Sequence, residues 1–328
     1  MPQACDIHTT VLRDEVVGWL QPKPGGRYID GTLGLGGHTE AILRADPRCT
    51  VLGLDRDPEA LAHAAERLAP FGDRAVLRHS AFSTFEAVLD ELGWAEVDGA
   101  VLDLGVSSLQ LDRRERGFSF LGDGPLDMRM DPEGGLPPAS RVVNHAGAEE
   151  LKRIIRDYGD EPLAGKIARA IVKRREQVPF ETTAQLAETV NLAYPPQRRR
   201  QARNHPATRT FMALRIAVNH EVDELETFLA RIPERLAPGA RLAIISFHSL
   251  EDRMVKRAFR EWAKDCICPP RQMQCTCRGR ALARVLTKKP QLPGEAEQAA
   301  NPRSRSAKLR VAERLGATAG LDDGGEAA

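Results

Sequence analysis

The amino-acid sequence predicts an α/β fold, with a mainly parallel β-sheet that carries helices on both faces. The first observation is that short apolar segments alternate with amphipathic helical segments through the first third of the chain. The second is that this alternation stops, gives way to helical patterns alone, and later resumes. Such alternation is typical of a doubly wound sheet, and the interruption indicates a helical insertion.

Each element of the sheet region is predicted from its own pattern. The strands are short apolar runs, which suit strands that are buried on both faces. The helices have apolar residues three or four positions apart. The predicted strands are residues 27–30, 50–54, 75–78, 97–104, 240–247, 281–287 and 307–313. The predicted helices beside them are residues 38–43, 58–68, 82–92, 211–229 and 251–263.

The interruption in this pattern defines the predicted domains. It holds a Gly- and Pro-rich segment and then three helical patterns, at residues 117–138, 149–158, 163–177 and 183–192. We expect residues 1–111 and 211–314 to form the core domain of the α/β type, and residues 112–210 to form an inserted, all-helical substrate-recognition domain. The Gly- and Asp-rich end, residues 315–328, is expected to be disordered.

Composition narrows the class of protein. Of the 328 residues, 42% are hydrophobic, which is enough for a packed core. The formal net charge of +1 leaves nucleic-acid binding to be decided by local clusters. The N-terminal residues lack the regions of a secretory signal, and no apolar run is long enough to cross a bilayer. We expect a soluble, cytoplasmic protein with no membrane partner, either a monomer or a homodimer.

The segment DGTLGLGGHTE, residues 30–40, joins the first predicted strand to a helix. Its glycines permit positive φ and close approach of a ligand to the backbone, and the helix N-terminus favours an anion. A dinucleotide pyrophosphate and the amino-acid end of S-adenosylmethionine both suit such a turn. Thr39 stands where the dinucleotide fingerprint has its third glycine, so the pattern departs from that class. Asp55 ends the next strand and is expected to accept ribose hydroxyls, which both classes require.

Asp103 ends the fourth predicted strand, at the edge where open α/β sheets bind ligands. A carboxylate there is expected either to form a structural salt bridge or to accept a reacting N–H. In methyl transfer to an exocyclic amine, such an acceptor helps the nitrogen to pyramidalise and receives its proton. Transfer to carbon-5 of cytosine would need a cysteine nucleophile, and none lies near this strand or near the SFHS segment at 246–249.

Seven motifs occur in order along the chain. They are HTTVL (8–12), DGTLGLGGHT (30–39), DLGVSSLQLD (103–112), RGFSF (116–120), GPLDMRMD (124–131), PATRTFMALRIAVN (206–219) and SFHSLEDRMVK (246–256). Together they resemble the MraW/RsmH family, the S-adenosylmethionine-dependent methyltransferases that act on cytosine N4 of small-subunit ribosomal RNA. The resemblance extends as far as residue 314.

This resemblance implies a class I, Rossmann-like methyltransferase sheet with an inserted helical domain. It implies S-adenosylmethionine as the cofactor, and a decoding-site cytosine of 16S rRNA in the small ribosomal subunit as the substrate. The cofactor contacts that it implies are Gly36, Gly37, His38, Asp55, Phe82, Asp103 and Gln110, each of which is present here.

Aromatic and polar residues complete the expected site. Phe82 follows the third strand, where an apolar side chain commonly sandwiches adenine; core packing is the alternative. Amino methyltransferases of DNA often carry the motif (Asp/Asn)-Pro-Pro-aromatic at this strand, and its aromatic residue stacks on the base. Here Leu104 and Gly105 follow Asp103 instead, so we expect Phe247 to stack on the target base. Ser246 and His248 are expected to line the same pocket as catalytic residues, with a structural role at the strand end as the alternative for His248.

Two basic runs lie in the predicted insertion. Lys166, Arg169 and Lys173 share one helical face. Residues 195–215 contain no acid and hold Arg198, Arg199, Arg200, Arg203, Arg209 and Arg215. A solvated face is the ordinary interpretation of one such run, but two runs within one insertion favour contacts with RNA phosphates.

The clustered cysteines are candidates for a metal site. Four of the six form the pattern C-x-C-x6-C-x-C at residues 266–277. Four thiols suit tetrahedral zinc, but C-x-C is shorter than the usual ligand spacing. We therefore expect free loop thiols and no bound metal.

Two other functions fit parts of the pattern. A nucleotide-binding dehydrogenase would use the glycine loop and Asp55, although the missing third glycine counts against it. A non-catalytic ribosome assembly factor could retain the cofactor fold without turnover. Binding of S-adenosylhomocysteine but not NAD argues against the first alternative, and turnover on immature subunits argues against the second.

Overall fold

The structure is a computed structural model that describes residues 10–202, 204–269, 272 and 274–316. Parts of three sequence predictions fall outside these residues. They are residues 317–328 of the predicted tail, His8 and Thr9 of the first motif, and Arg203 of the second basic run. No helix in the described ranges is both long enough and apolar enough to span a membrane.

The chain divides into two compact units. The first comprises the described residues of Met1–Asp55, Glu59–Gly105 and Leu225–Ala328. The second comprises Arg56–Pro58 and the described residues of Val106–Glu224. The second unit is thus an insertion in the sequence of the first. Its main segment begins at residue 106 rather than the predicted 112, and it ends at residue 224 rather than the predicted 210.

The first unit is built on a seven-stranded sheet. Its strands are β1 (Arg27–Asp30), β2 (Thr50–Asp55), β3 (Ala75–His79), β4 (Val97–Asp103), β5 (Leu236–Ser246), β6 (Ala283–Val285) and β7 (Lys308–Arg314). Their order is β3-β2-β1-β4-β5-β7-β6. β1 to β5 pair in parallel, whereas β7 is antiparallel to both neighbours. The predicted α/β fold, with a mainly parallel, Rossmann-like sheet, is confirmed.

All seven predicted strands are present, but two features were not predicted. One is the antiparallel direction of β7. The other is that β5 begins before the turn expected at Pro238-Gly239. β4 pairs Val97 with Leu236 and then Gly99 with Arg241, so the intervening β5 residues form a bulge. Gly239 has a φ of 81° within it, a conformation that glycine adopts easily.

Both faces of the sheet are covered by apolar side chains. On β1, Ile29 belongs to one buried cluster and Tyr28 to another; on β4, Leu102 and Val101 divide in the same way. Successive side chains of a strand point to opposite faces, so the two clusters are the cores of the two faces. This double burial explains why the strands are continuous apolar runs in the sequence.

The helices, in chain order, are as follows. They are α1 (Arg13–Leu20), α2 (Gly37–Ala45), α3 (Pro58–Leu68), α4 (Phe85–Glu91), α5 (Ser108–Asp112), α6 (Ala139–His145), α7 (Ala148–Asp157), α8 (Ala164–Arg175), α9 (Thr183–Ala193), α10 (Pro196–Gln201), α11 (Thr208–Val218), α12 (Glu221–Arg235), α13 (Ser249–Trp262) and α14 (Glu295–Ala300). Helices α5 to α11 belong to the second unit, which has its own core that includes Leu151, Ile167 and Leu214.

The prediction of one continuous helix over residues 211–229 is wrong. α11 and α12 are separate, because His220 between them has a φ of 53°. Asn219 beside it is fully buried, and its side chain donates to Met128 O and accepts from the Met130 N–H, both at 2.8 Å. The helical periodicity of the sequence continues across this break. The break was therefore not predictable from local sequence, because it depends on hydrogen bonds to residues far away along the chain.

Candidate active site

Three neighbouring strands end in a carboxylate at one edge of the sheet. Asp30 ends β1, Asp55 ends β2 and Asp103 ends β4. β1 lies between the other two and is parallel to both, so their carboxyl ends lie together. The order of strands along the chain reverses direction between β1 and β4, and open α/β sheets bind ligands at such a switch point.

The loop between β1 and α2 is held by short backbone hydrogen bonds. The Leu33 N–H donates to Leu54 O at 2.9 Å, and the Gly36 N–H donates to Leu33 O at 2.8 Å. Gly34 and Gly36 have φ values of 51° and 79°, which other residues rarely adopt. No side chain caps the N-terminus of α2, so its first N–H groups form a site suited to an anion.

Gly36 and Gly37, the expected cofactor contacts, are also required by packing. A β-carbon at Gly37 would lie 1.8 Å from Thr10 Oγ1, and one at Gly36 would lie 3.1 Å from Leu68 Cδ1. Glycine therefore allows the N-terminal segment and α3 to pack against the loop. Thr10 is part of the HTTVL motif, but sequence reasoning did not connect it to the loop.

Asp55 is joined directly to the glycine loop. Its Oδ2 accepts the Gly34 N–H at 2.7 Å, and the residue is partly exposed. A hydrogen bond to a carboxylate of this kind contributes about 1.5–3 kcal/mol. The carboxylate thus lies beside the turn, in the position from which ribose hydroxyls are bound in sheets of this class.

His38 and Asp103 lie together with unsatisfied polar atoms. His38 is 4% exposed, yet neither ring nitrogen has a hydrogen-bond partner in the described part of the chain. Its Nε2 lies 3.6 Å from Asp103 Oδ2, which is too long for a hydrogen bond. Asp103 Oδ1 is also buried without a partner among the described residues. Buried polar atoms are rarely left so, which indicates a ligand with polar groups at this position.

Asp30 is the site residue that sequence reasoning missed. It is fully buried, and it accepts hydrogen bonds from Thr39 Oγ1 at 2.8 Å and from the Thr32 N–H at 3.3 Å. Burial raises the pKa of its carboxyl, while the nearby His38 and the Thr39 hydrogen bond act in the opposite direction. The available signal was that Asp30, like Asp55 and Asp103, is the acid at the end of a strand.

Two phenylalanines flank this cluster. Phe82 lies at the start of the loop, because a β-carbon at Gly31 would be 3.0 Å from its Cβ. Its ring is partly buried and packs edge-on against Phe228, with the centroids 5.7 Å apart. Phe247 lies at the end of β5, and its Cδ2 is 3.6 Å from the position of a β-carbon at Gly105. Phe82 thus has a core contact as well as surface left for a ligand.

The chemistry of this cluster fits S-adenosylmethionine. The N-terminus of α2 suits the carboxylate of the methionine end, and Asp55 suits the ribose hydroxyls. The partly exposed ring of Phe82 suits adenine. The buried, unpartnered atoms of His38 and Asp103 match a ligand that brings its own donors and acceptors.

The SFHS segment continues the same edge of the sheet. Asp103 pairs with Ile245, so Ser246 is the next residue along β5. Ser246 is 1% exposed, which restricts its access to a substrate. His248 caps α13: its Nδ1 accepts the Leu250 N–H at 3.4 Å, and Glu251 in turn accepts the His248 N–H. The structural alternative considered for His248 is therefore present.

Gln110 belongs to the second unit of the chain. It is 4% exposed; its Oε1 accepts the Ser107 N–H at 3.1 Å and its Nε2 donates to Asp57 Oδ2 at 2.8 Å. Asp57 also pairs with Arg116 at 2.9 Å. The amide of Gln110 is thus engaged on both sides within its own unit, and its contact with the cofactor remains a prediction.

The basic residues of the second unit differ in their exposure and in their hydrogen-bond partners. Lys166, Arg169 and Lys173 are exposed along α8, and their side chains make no hydrogen bond or ion pair to another residue of the described chain. Arg198 and Arg200 are exposed on α10, with Arg199 half-buried. Arg209 is exposed and donates to Asp160 O at 3.0 Å.

Arg215 from the second run is already paired. It forms two hydrogen bonds of 2.8 Å with the Glu221 carboxylate, and both side chains are mostly buried. A guanidinium held in this bidentate way is not free for a phosphate. Of the cations in the two runs, those suited to contact with an anionic polymer are therefore the exposed ones on α8 and α10, together with Arg209.

The chain matches the family model described as the MraW methylase family over residues 6–315. It is 63% identical over 312 residues to the ribosomal RNA small subunit methyltransferase H of Maridesulfovibrio salexigens, covering 95% of this chain and 96% of that protein. It is 58% identical over 309 residues to the protein of the same name from Oleidesulfovibrio alaskensis, covering 94% and 95%.

Among solved structures, an rRNA methylase from Streptococcus thermophilus is similar at a TM-score of 0.42 and 11% identity, covering 94% of this chain and 98% of that one. That overlap is too weak to bear on the fold or the activity. The family match and the relatives cover almost the whole chain. The chain therefore belongs to the MraW methylase family and is an S-adenosylmethionine-dependent methyltransferase.

Proposed function

We propose that this enzyme transfers the methyl group of S-adenosylmethionine to the exocyclic N4 of a decoding-site cytosine in 16S rRNA of the small ribosomal subunit. The printed names of its relatives support a small-subunit rRNA substrate. The observation that carries the proposal is the buried, unpartnered Asp103 Oδ1 beside His38 at the switch point of the sheet. A ribosomal substrate places the enzyme in the cytoplasm.

The placement of the cysteines supports an amine rather than a ring carbon as the acceptor. Methylation of cytosine carbon-5 requires a thiolate that adds to the ring. Cys49 is buried and donates to Asp46 O at 3.2 Å, and burial raises the pKa of its thiol. The other described cysteines lie within residues 266–277, on the loop between α13 and β6. None of these thiols adjoins Asp103.

Asp103 has the chemistry required at the amine. The cofactor, when bound, supplies an electrophilic methyl on a sulfonium. Transfer would form the N4–carbon bond as the carbon–sulfur bond breaks, leaving S-adenosylhomocysteine, and one N–H proton would leave N4. Asp103 would accept that N–H hydrogen bond and then the proton, and its negative charge would stabilise the positive charge that develops on N4. The Asp103 N–H donates to Thr32 Oγ1 at 2.6 Å, which holds the end of β4 in place. His38 positions and polarises the ligand beside Asp103.

The other residues would bind and orient the two substrates. Asp55 and the N-terminus of α2 hold the cofactor, with Phe82 against its adenine. The target base must leave its stack, which costs a few kcal/mol unless the RNA is already open, and Phe247 provides a surface on which it stacks. Ser246 and His248 support this end of the pocket through the geometry of β5 and α13.

The exposed cations of the second unit would bind the RNA backbone. Lys166, Arg169 and Lys173 form one row on α8. The second set comprises the exposed Arg198 and Arg200 and the half-buried Arg199 on α10, with Arg209 on α11. Contacts of this kind orient the RNA and weaken steeply with salt, but carry no sequence information. This assigns substrate recognition to the inserted unit.

One experiment tests the proposed substrate. Small subunits that lack the methyl mark are incubated with the enzyme and isotopically labelled S-adenosylmethionine, and the rRNA is digested and mapped by mass spectrometry. We expect one labelled methyl on N4 of a single decoding-site cytosine. Label on carbon-5 or on another nucleotide would contradict the proposal, and so would the absence of label from both the subunits and free 16S rRNA. Naked 16S rRNA, treated in parallel, distinguishes RNA recognition from recognition of the assembled subunit.

A further inference from the structure

Four cysteines converge on the loop between α13 and β6. Cys266 and Cys268 approach Cys275 and Cys277, and the four Sγ atoms all lie within 4.8 Å of one another. The loop is distinct from the cofactor cluster in sequence and is not used in the chemistry proposed above. Its thiols therefore require a separate explanation.

The distances between the sulfur atoms are those of a metal site. Cys266–Cys275, Cys268–Cys275 and Cys266–Cys277 are each 3.8 Å apart, and Cys275–Cys277 is 3.5 Å. Zinc binds thiolates tetrahedrally at about 2.3 Å, and a tetrahedron of that size has edges of about 3.8 Å. Four of the six sulfur–sulfur distances are thus close to the edge of such a tetrahedron, and the other two are within 4.8 Å.

Disulfides do not account for the same geometry. A disulfide joins two sulfur atoms at about 2.05 Å and selects one partner for each cysteine. Cys275 instead has three sulfur neighbours, Cys266, Cys268 and Cys277, at 3.5–3.8 Å. One shared central ligand explains three similar distances, whereas no pairing of cysteines does.

Backbone N–H groups inside each C-x-C pair donate to sulfur atoms of the other pair, and they hold the two pairs together despite the short spacing. Ile267, inside the first pair, donates its N–H to Cys277 Sγ of the second pair at 3.3 Å. Thr276, inside the second pair, donates its N–H to Cys268 Sγ of the first pair at 3.4 Å. The two pairs therefore face each other, and each contributes two sulfurs. Such N–H donors stabilise thiolates that bind a metal.

The described residues of the loop bury little apolar surface, although hydrogen bonds such as Gln272 Nε2 to Thr276 Oγ1 at 2.7 Å cross it. Cys266 and Cys275 are exposed, and Ile267 is 45% exposed, so these described residues are not part of an apolar core. A segment that buries little apolar surface is commonly held by a metal or by disulfides. We propose that Cys266, Cys268, Cys275 and Cys277 bind one structural Zn²⁺ through their four thiolates. The structure removes the spacing argument that favoured free thiols.

Metal content of the full-length protein tests this site. The enzyme is produced in zinc-supplemented medium, desalted without chelator, and analysed for zinc and iron by elemental mass spectrometry. We expect about one zinc per chain in the wild type. The quadruple variant Cys266→Ser, Cys268→Ser, Cys275→Ser, Cys277→Ser should lose at least about 90% of it. Thr276→Ser, which keeps a hydroxyl in the same loop, and Cys49→Ser should retain it.

A second measurement uses only the wild-type chain, in case the quadruple variant folds poorly. Apo protein titrated with Co²⁺ should show thiolate-to-cobalt charge transfer and tetrahedral d–d absorption that saturate at about one equivalent. Equal zinc in the quadruple variant and wild type would overturn the proposal. So would iron in place of zinc, or intact-mass evidence of two disulfides in metal-free wild type. None of these outcomes depends on methyl transfer.

Discussion

His38 Nε2 lies 3.6 Å from Asp103 Oδ2, and neither residue satisfies its buried polar atoms within the described chain. The two side chains come from different parts of the sheet: His38 from the first turn of α2, and Asp103 from the end of β4. Their arrangement has a cost in the protein alone, because buried polar groups without partners are unfavourable by about 1–3 kcal/mol each. A bound ligand that supplies the missing hydrogen bonds would recover this cost.

Substitution of Asp103 should separate catalysis from binding. Asp103→Asn keeps the size of the side chain and the backbone bond to Thr32, but it removes the charge that we propose accepts the amine proton. We expect the turnover number on unmethylated subunits to fall at least about 100-fold, because general bases contribute 10²–10⁴-fold. Affinity for S-adenosylhomocysteine, measured by calorimetry, should change much less. An equal loss of both would restrict Asp103 to cofactor binding.

Asp55 should act on the cofactor rather than on the RNA. Asp55→Asn weakens its bond to the Gly34 N–H and removes the charge expected beside the ribose. We expect the Kd for S-adenosylhomocysteine to rise about 10- to 100-fold, which corresponds to the loss of a hydrogen bond to a charged group. Asp73→Asn, at an exposed carboxylate in the same unit, is the matched control. Equal effects of the two substitutions would remove the assignment of Asp55.

Gly37 should be intolerant of a β-carbon because of Thr10. In Gly37→Ala the new atom would lie 1.8 Å from Thr10 Oγ1, and overpacking of this kind costs about 1–3 kcal/mol in unfolding free energy. Adding Thr10→Ala should restore part of that loss, since the nearest remaining Thr10 atom would be Cβ at 3.0 Å. Chemical denaturation of the four proteins of this cycle measures the coupling.

Gly18 provides the control for that cycle. It lies inside α1, and a β-carbon there would meet nothing within 4 Å. Gly18→Ala should therefore stabilise the protein by about 0.5–1 kcal/mol through helix propensity. If Gly37→Ala were equally harmless, the contact between Thr10 and the glycine loop would not exist in solution.

The row of cations on α8 should contribute to RNA affinity through charge. Replacing Lys166, Arg169 and Lys173 together by Gln should weaken binding to a decoding-site RNA hairpin and reduce the salt slope by roughly 2–3. The matched control is the triple Gln replacement of Arg260, Lys288 and Lys289, which are exposed cations of the first unit. Similar losses in both variants would indicate a general charge effect rather than contact by α8.

The buried Asp30 should make stability depend on pH in a predictable direction. Burial raises its pKa above the ordinary 3.8, so the folded protein binds this proton more tightly than the unfolded chain. Stability is therefore lost as pH rises from the unfolded pKa through the folded pKa. The Tm of Asp30→Asn should rise relative to the Tm of the wild type as the pH increases above about 4, the pKa of an ordinary Asp carboxyl. A difference that is independent of pH would exclude an ionisable Asp30.

Asp14→Asn is the control for the pH experiment. Asp14 lies in the first turn of α1, its side chain is 82% exposed, and it pairs with Arg13. A surface pair of this kind contributes little to stability, so its replacement should leave the Tm profile close to that of the wild type across the same range. Parallel profiles for Asp14→Asn and Asp30→Asn would indicate a general charge effect.

Some of the site was predictable because it depends on local sequence. Strands buried on both faces are continuous apolar runs, and all seven were located from them. Parallel strands bring their carboxyl ends to one edge, so Asp55 and Asp103 were expected near the glycine loop. The exposed row on α8 follows from helical periodicity alone. The same reasoning failed at His220, where the helix breaks although its periodicity continues.

The sequence by itself determined the order of elements, the acids at the strand ends and the family of the chain, because each is encoded in short-range pattern. Only the tertiary structure decided which distant residues meet. Thr10 against Gly37, Gln110 with Asp57, and the four loop thiols are such cases. The physical reason is that a contact between residues far apart in sequence depends on the packing of the elements between them, which no local spacing records.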